Sequence, residues 1–371
     1  AITTGKESVI IGGLAGDAIT TGTRNTLIGY IAGTALVEGG SNVAIGYAAL
    51  ATEDAHGANV AIGYNVLTVQ NAGANAFNVA IGYNAAGSVT TGVRNVVIGG
   101  VAGDAMTSAT DNVVLGYDAG GAMTSAQQNT AVGAYAADAI TSGTANVALG
   151  YNALTASVEG DFNTAIGYKA LEDHNEGNGN GHNTAVGSKA MLNLTTGEFN
   201  TSLGSLSMGA GVTTGDKNVA IGYTAGSSMT TGANNTIIGT EAGDALTTGS
   251  HNVAIGHAAL SAEDTGGRSV AIGRAALGAQ NNDGDNYNVA VGYNAGLSVL
   301  TGVQNTIVGS FAGDALTIGN QNTALGFGAL STSVDGDNNT AVGFLALEDY
   351  EDGDGDGSNT AIGSESQRNA T

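Results

Sequence analysis

The sequence predicts an all-β chain folded as a parallel β-solenoid of about 21 coils, and three observations carry the prediction. A five-residue phrase of the form Asn-(Val/Thr)-Ala-Ile-Gly returns 21 times between Ser8 and Asn359, mostly at a spacing of 17 residues. A short fixed period means an array in which each repeat touches only its neighbours, so length sets the number of coils and not of domains. The chain has 62 Gly, no Pro, Cys or Trp, and only 11% charged residues. That composition suits tight turns between short strands and disfavours helices and disulfide frameworks. Residues 1–371 therefore read as one continuous repeat array.

Each part of the coil follows from its column of residues. With the Asn as position 1, position 5 is Gly in all 21 copies and position 4 is always Ile, Leu or Val. Position 2 is Val or Thr, position 3 mostly Ala, and position 8 is Ala in 18 copies. A short strand through positions 2 to 6 is expected. Asn occupies position 1 in 19 copies and stacks into a structural ladder, with Asn42, Asn59, Asn78 and Asn95 as a consecutive run. Thr-Thr-Gly near positions 13 to 15, as in Thr90-Thr91-Gly92, supplies a second strand and a turn. Two loop styles alternate, Ala-Gly-Asp-Ala at 242–245 and Ala-Ala-Leu at 258–260.

Strand side chains alternate between faces, so positions 2 and 4 present Val/Thr and Ile to one side while positions 3 and 5 present Ala and Gly to the other. Both faces are apolar. A thin coil with only Ala and Gly inside leaves a Val/Ile row far larger than the apolar patch a monomer tolerates. Identical chains around a common axis would cover it, which predicts a homotrimer. The opposite arrangement, a monomer with Val and Ile inside, satisfies the same alternation. At about 4.8 Å per coil, the array makes a rod of roughly 100 Å.

The array also carries a larger duplication, residues 8–200 against 218–371: the spacings from Ser8 to Asn95 recur from Asn218 to Asn305. Ala1–Gly5 repeats Ala18–Gly22, the end of a coil, and Thr371 falls within one, so a segment of a longer polypeptide is expected. The net charge of −23 and nine Lys and Arg exclude nucleic acid, and no stretch is long and apolar enough for membrane insertion.

Asn-Val-Ala-Ile-Gly-Tyr-Asn at 59–65 and 78–84, with Ser-Val-Ala-Ile-Gly at 269–273, resembles the YadA-like head repeats of trimeric autotransporter adhesins and related phage tail-fibre repeats. The resemblance covers the whole chain through one motif and implies a left-handed trimeric β-roll with its Val/Ile face toward the threefold axis. The 17-residue period is longer than the shortest adhesin repeat, and residues 1–371 include neither a heptad stalk nor a membrane anchor.

The function expected is a rigid structural fibre or adhesin segment projecting a receptor-binding tip, extracellular, on a virion or bacterial cell surface, with itself and a host glycan or receptor as partners. An ice-binding solenoid is the alternative, from the column Thr90, Thr107, Thr124 and Thr141, together with a self-assembling filament. Nine of 12 Tyr stand at position 6, and Tyr47, Tyr64 and Tyr83 form the candidate glycan column, against mutual ring contact as the plainer role. Asp352, Asp354 and Asp356 alternate with Gly like the start of a calcium loop, the one cofactor suggested. Asp283 and Asp285 sit in a similar turn. Five scattered His and no Cys assemble neither a zinc set nor a Cys/His dyad, and no enzyme is expected.

Overall fold

The computed structural model describes residues 7–175, 180–350 and 357–368. The chain forms two compact units, Ala1–Asn183 and Thr184–Thr371. The first carries ten three-residue strands, β1 (Val9–Ile11) to β10 (Thr164–Ile166), and the second eleven, β11 (Thr184–Val186) to β21 (Thr360–Ile362). Among the described residues there is no helix. Within each unit successive strands pair in parallel, position to position. Val43 faces Val60, Ala44 faces Ala61 and Ile45 faces Ile62. Longer coils keep this register. Val60 pairs with Val79 across 19 residues, and the surplus loops out around Gly73, which has open space beside it.

The strands span positions 2 to 4 and not 2 to 6, because the position-5 glycines take φ between 126° and 148°. Side-chain-bearing residues rarely enter that region. The glycines also stack closely: a Cβ on Gly46 would lie 2.0 Å from the carbonyl oxygen of Gly63. The amide of Gly46 donates to Ile28 O in the preceding coil, while that of Val43 donates to Asn59 O in the following one. Both neighbours are thereby tied into one ladder.

The second strand expected at Thr-Thr-Gly is not formed. The amides of Thr90, Thr91 and Gly92 all converge on the carbonyl of Thr107, at 3.0–3.1 Å. Three donors on one acceptor make a bend, and the additional pairing is confined to isolated bridges such as Thr110 with Gln127.

Position 3 points inward and positions 2 and 4 outward. Ala44, Ala61 and Ala80 are fully buried, while Val43 and Ile45 remain half-buried. The interior is nevertheless not restricted to Ala and Gly. Positions 9 and 12 also face inward, and their sizes are coupled to position 3. Where position 9 is Leu, as at Leu50, Leu67, Leu154, Leu260 and Leu277, position 3 is Ala and position 12 is polar: Glu53, Gln70, Ser157, Glu263 and Gln280, all buried. Where position 9 is Gly, position 12 is large, as at Leu36, Met106 and Leu246, and position 3 can be Leu27, Val97 or Ile237. A Cβ on Gly33 would stand 2.8 Å from side-chain carbons of both Leu27 and Leu36. A close-packed interior of fixed volume requires such trade-offs. One coil replaces the Ala pair at positions 3 and 8 by Ser202 and Ser207, whose hydroxyls bond each other and the carbonyls of Ser207 and Gly204.

Candidate functional site

The ladder asparagines are built into the core. Asn42, Asn59, Asn78 and Asn95 are buried, and each side-chain oxygen accepts the backbone amide of the next: Asn59 N to Asn42 Oδ1 at 3.1 Å, Asn78 N to Asn59 Oδ1 at 3.1 Å, and Asn95 N to Asn78 Oδ1 at 2.9 Å. The side-chain nitrogen commonly donates to the carbonyl 14 residues on, as from Asn95 to Ala109 at 2.8 Å. Each amide thus joins its own turn to the following coil.

Outside, the row of Val, Thr, Ile and Leu at positions 2 and 4 is flanked by aromatic columns. Tyr30, Tyr47, Tyr64 and Tyr83 stack with centroids 5.8, 5.0 and 5.3 Å apart and planes within 22°. Tyr47, Tyr64 and Tyr83 are all exposed, yet their faces meet one another, so the column presents edges and hydroxyls outward. Two further columns run Tyr117–Tyr135–Tyr151–Tyr168 and Tyr293–Phe311–Phe327–Phe344. Tyr135 and Phe311 belong to position 7, and they fill the gaps left by Ala134 and Ser310 at position 6 with edge-on contacts. Neither ring stands in the position-6 column.

The Thr column exists, but its hydroxyl protons are committed. Thr90, Thr107, Thr124 and Thr141 each donate to the carbonyl of the following coil at 3.1–3.2 Å. The acidic turns are likewise internally satisfied where described. Asp283 accepts from Thr265 Oγ1 at 2.9 Å, and Asp285 from Arg268 and Tyr287. Asp352, Asp354 and Asp356 lie outside the described residues. Burial pushes the carboxyls of Asp104, Asp138, Asp244 and Asp314 above the usual aspartate value. Arg94, in a two-bond pair with Asp111, holds that carboxyl below it.

A polar feature not read from the sequence lies inside the coil. Glu53 is completely buried, and burial raises its carboxyl above the usual glutamate value against the opposing effect of the His56 amide. Its Oε1 accepts that amide at 3.2 Å, while Oε2 has no partner. The carboxylate oxygens of Glu53 and Asp54 and a ring nitrogen of His56 can approach within 4.8 Å of one another.

No protein-family model and no curated protein matches the chain.

Proposed function

We propose that the chain is a rigid structural segment of an extracellular fibre or adhesin, on a virion or bacterial surface, assembled as a homotrimer through its Val/Ile face. The observation that carries this is an interior already filled by positions 3, 8, 9 and 12, with a row of Val, Thr, Ile and Leu left outside in each unit. Ile11, Leu149, Leu203 and Leu325 are each 41–59% exposed. A monomer tolerates scattered apolar residues, not a row that recurs at every coil. A second and third copy of the same row offer a symmetric cover of the same chemistry.

On this reading the mechanism is mechanical and no reaction is catalysed. Within each unit every strand is hydrogen-bonded to its neighbours, the acidic exterior resists lateral aggregation, and contacts to a host glycan or receptor are made at a tip or along the sides. Commitment of the Thr hydroxyls to backbone carbonyls argues against the ice-binding alternative.

Light scattering at several concentrations tests the reading. A constant mass of three chains is expected. Glu at Ile45, Ile62 and Ile81, which point outward and leave the coil interior untouched, should give a folded monomer. A monomeric wild type overturns the assembly, and a mass that grows with concentration replaces it with an end-to-end filament.

A further inference from the structure

We infer that Glu53, Asp54 and His56 form a binding site for one divalent transition-metal ion of the zinc class. Their ligand atoms lie within 4.8 Å of one another. Glu53 Oε2, on a residue with no exposed surface, is buried without a hydrogen-bond partner, and so is His56 Nδ1, which stands 3.7 Å from Glu53 Oε1. The Nδ2 of Asn59, six residues beyond Glu53, is a third such atom. Buried polar atoms are nearly always satisfied; here, unlike at Ser333 and Asn339, the unsatisfied atoms coincide with a cluster of possible metal ligands.

The duplicated half of the chain supplies an internal control. Glu263 occupies the same coil position as Glu53 and is equally buried. Both of its oxygens are satisfied, Oε1 by the Gly266 amide at 2.7 Å and Oε2 by Gln280 at 2.9 Å and Asn286 at 3.0 Å. In the first half the counterpart of Asn286 is Ala76, and Gln70, the counterpart of Gln280, turns its amide to Thr90 O. The carboxylate has therefore lost its amide donors, and at Gly266's counterpart a histidine has appeared, His56. The fully bonded carboxylate of one half is, in the other, a carboxylate with one oxygen unpartnered beside an imidazole.

The donor set selects the ion. One imidazole nitrogen with two carboxylates suits zinc and its transition-metal neighbours, whereas calcium takes six to eight oxygens. Asp54 is exposed and His56 half-buried, so the ion would enter from their side and keep water on its open positions. The turn is held in place independently of the ion. The Asp54 carbonyl accepts the amides of Val37, Glu38 and Gly39, and the His56 carbonyl accepts Asn42 Nδ2.

Calorimetric titration of the whole chain with zinc alone tests this. One ion per chain is expected. His56→Gly should weaken binding about tenfold or more, and it restores a residue that the second half already accommodates at Gly266. Glu53→Gln, close in shape and offering an amide, should do the same while the chain stays folded by circular dichroism. Absence of zinc binding would overturn the proposal and leave a buried His–Glu pair. Zinc binding unchanged in both variants would overturn it equally, assigning the ions to the acidic exterior.

Discussion

The coupling among positions 3, 9 and 12 is tested most sharply at Ile307 and Gly313. Ile307 is fully buried at position 3 of its coil, and a Cβ on Gly313 would sit 3.3 Å from Ile307 Cδ1 and 3.6 Å from Cγ1 and Cγ2. Ile307→Ala alone leaves a cavity and is expected to cost about 2–5 kcal/mol. Gly313→Leu alone drives branched carbons into space that Ile307 holds, and overpacking of that kind costs about 1–3 kcal/mol. Together the two changes reproduce Ala324 and Leu330 of the next coil, where Leu330 has φ 57° against 50° for Gly313. Leu316 can stay, since Ala185, Met191 and Leu194 already combine a small position 3 with large positions 9 and 12. The double variant is expected within about 2 kcal/mol of the wild type, allowing for a leucine in a left-handed conformation. Opening in a repeat array is local, so the readout is hydrogen exchange over residues 305–322, followed through a double-mutant cycle. Additive costs would refute the shared interior volume.

Four further outcomes are expected. Gly46→Ala combines φ 132° with a backbone oxygen 2.0 Å from the new Cβ, and it should cost about 2–4 kcal/mol in denaturant titration; a neutral result contradicts the glycine stack. Asn95→Ala strands the Asn112 amide and removes donors to Asn78 Oδ1 and Ala109 O; it should cost about 2–4 kcal/mol, and Asn95→Ser less, as the Ser8 hydroxyl already accepts the Asn25 amide from that position. Val101 is β-branched at φ 50°, so Val101→Asn, matching Asn84 at φ 57°, should stabilise by about 0.5–1 kcal/mol; a lower melting temperature refutes that strain. Burial, then the Asp118 charge, raises the Asp104 carboxyl above 3.8. The folded chain therefore holds that proton more tightly, and stability falls as pH rises from 3.8 through the folded-state value; Asp104→Asn should flatten that segment of the melting profile, and an unaltered slope would count against the raised value.

The strand, the alternation of its two faces and the Asn column were legible because each rests on a residue repeated at one position, but which face turns inward was not, since both are apolar. Features produced by compensation between positions were not. No column shows that Leu67 and Gln70 together occupy the space of Gly103 and Met106, since each column read alone looks merely variable. Tyr135 and Phe311 were hidden for the same reason, a ring moved one residue along while its column stayed complete. The left-handed corners were hidden differently. The residue before each position-1 residue, from Glu7 to Ser358, has φ of 46–63° and is never Gly. Arg94, Phe162 and Lys217 give no sign in the sequence of a conformation that costs non-glycine residues roughly 1–2 kcal/mol.

These compensations bear on where a specific function should be sought. If interior volume is held fixed and outward side chains vary freely, most differences between the two halves of the duplication are substitutions that the coil tolerates. A change that leaves a buried group without a partner is of another kind, because it destabilises the coil unless something replaces the lost bond. The exchange of Asn286 and Gly266 for Ala76 and His56 around a retained buried glutamate has that character. The aromatic columns do not, since each ring finds another ring and the stack explains itself. The outward row of Val and Ile recurs in both halves, whereas Glu53 keeps one buried carboxylate oxygen unpartnered beside an imidazole where Glu263 has both oxygens bonded.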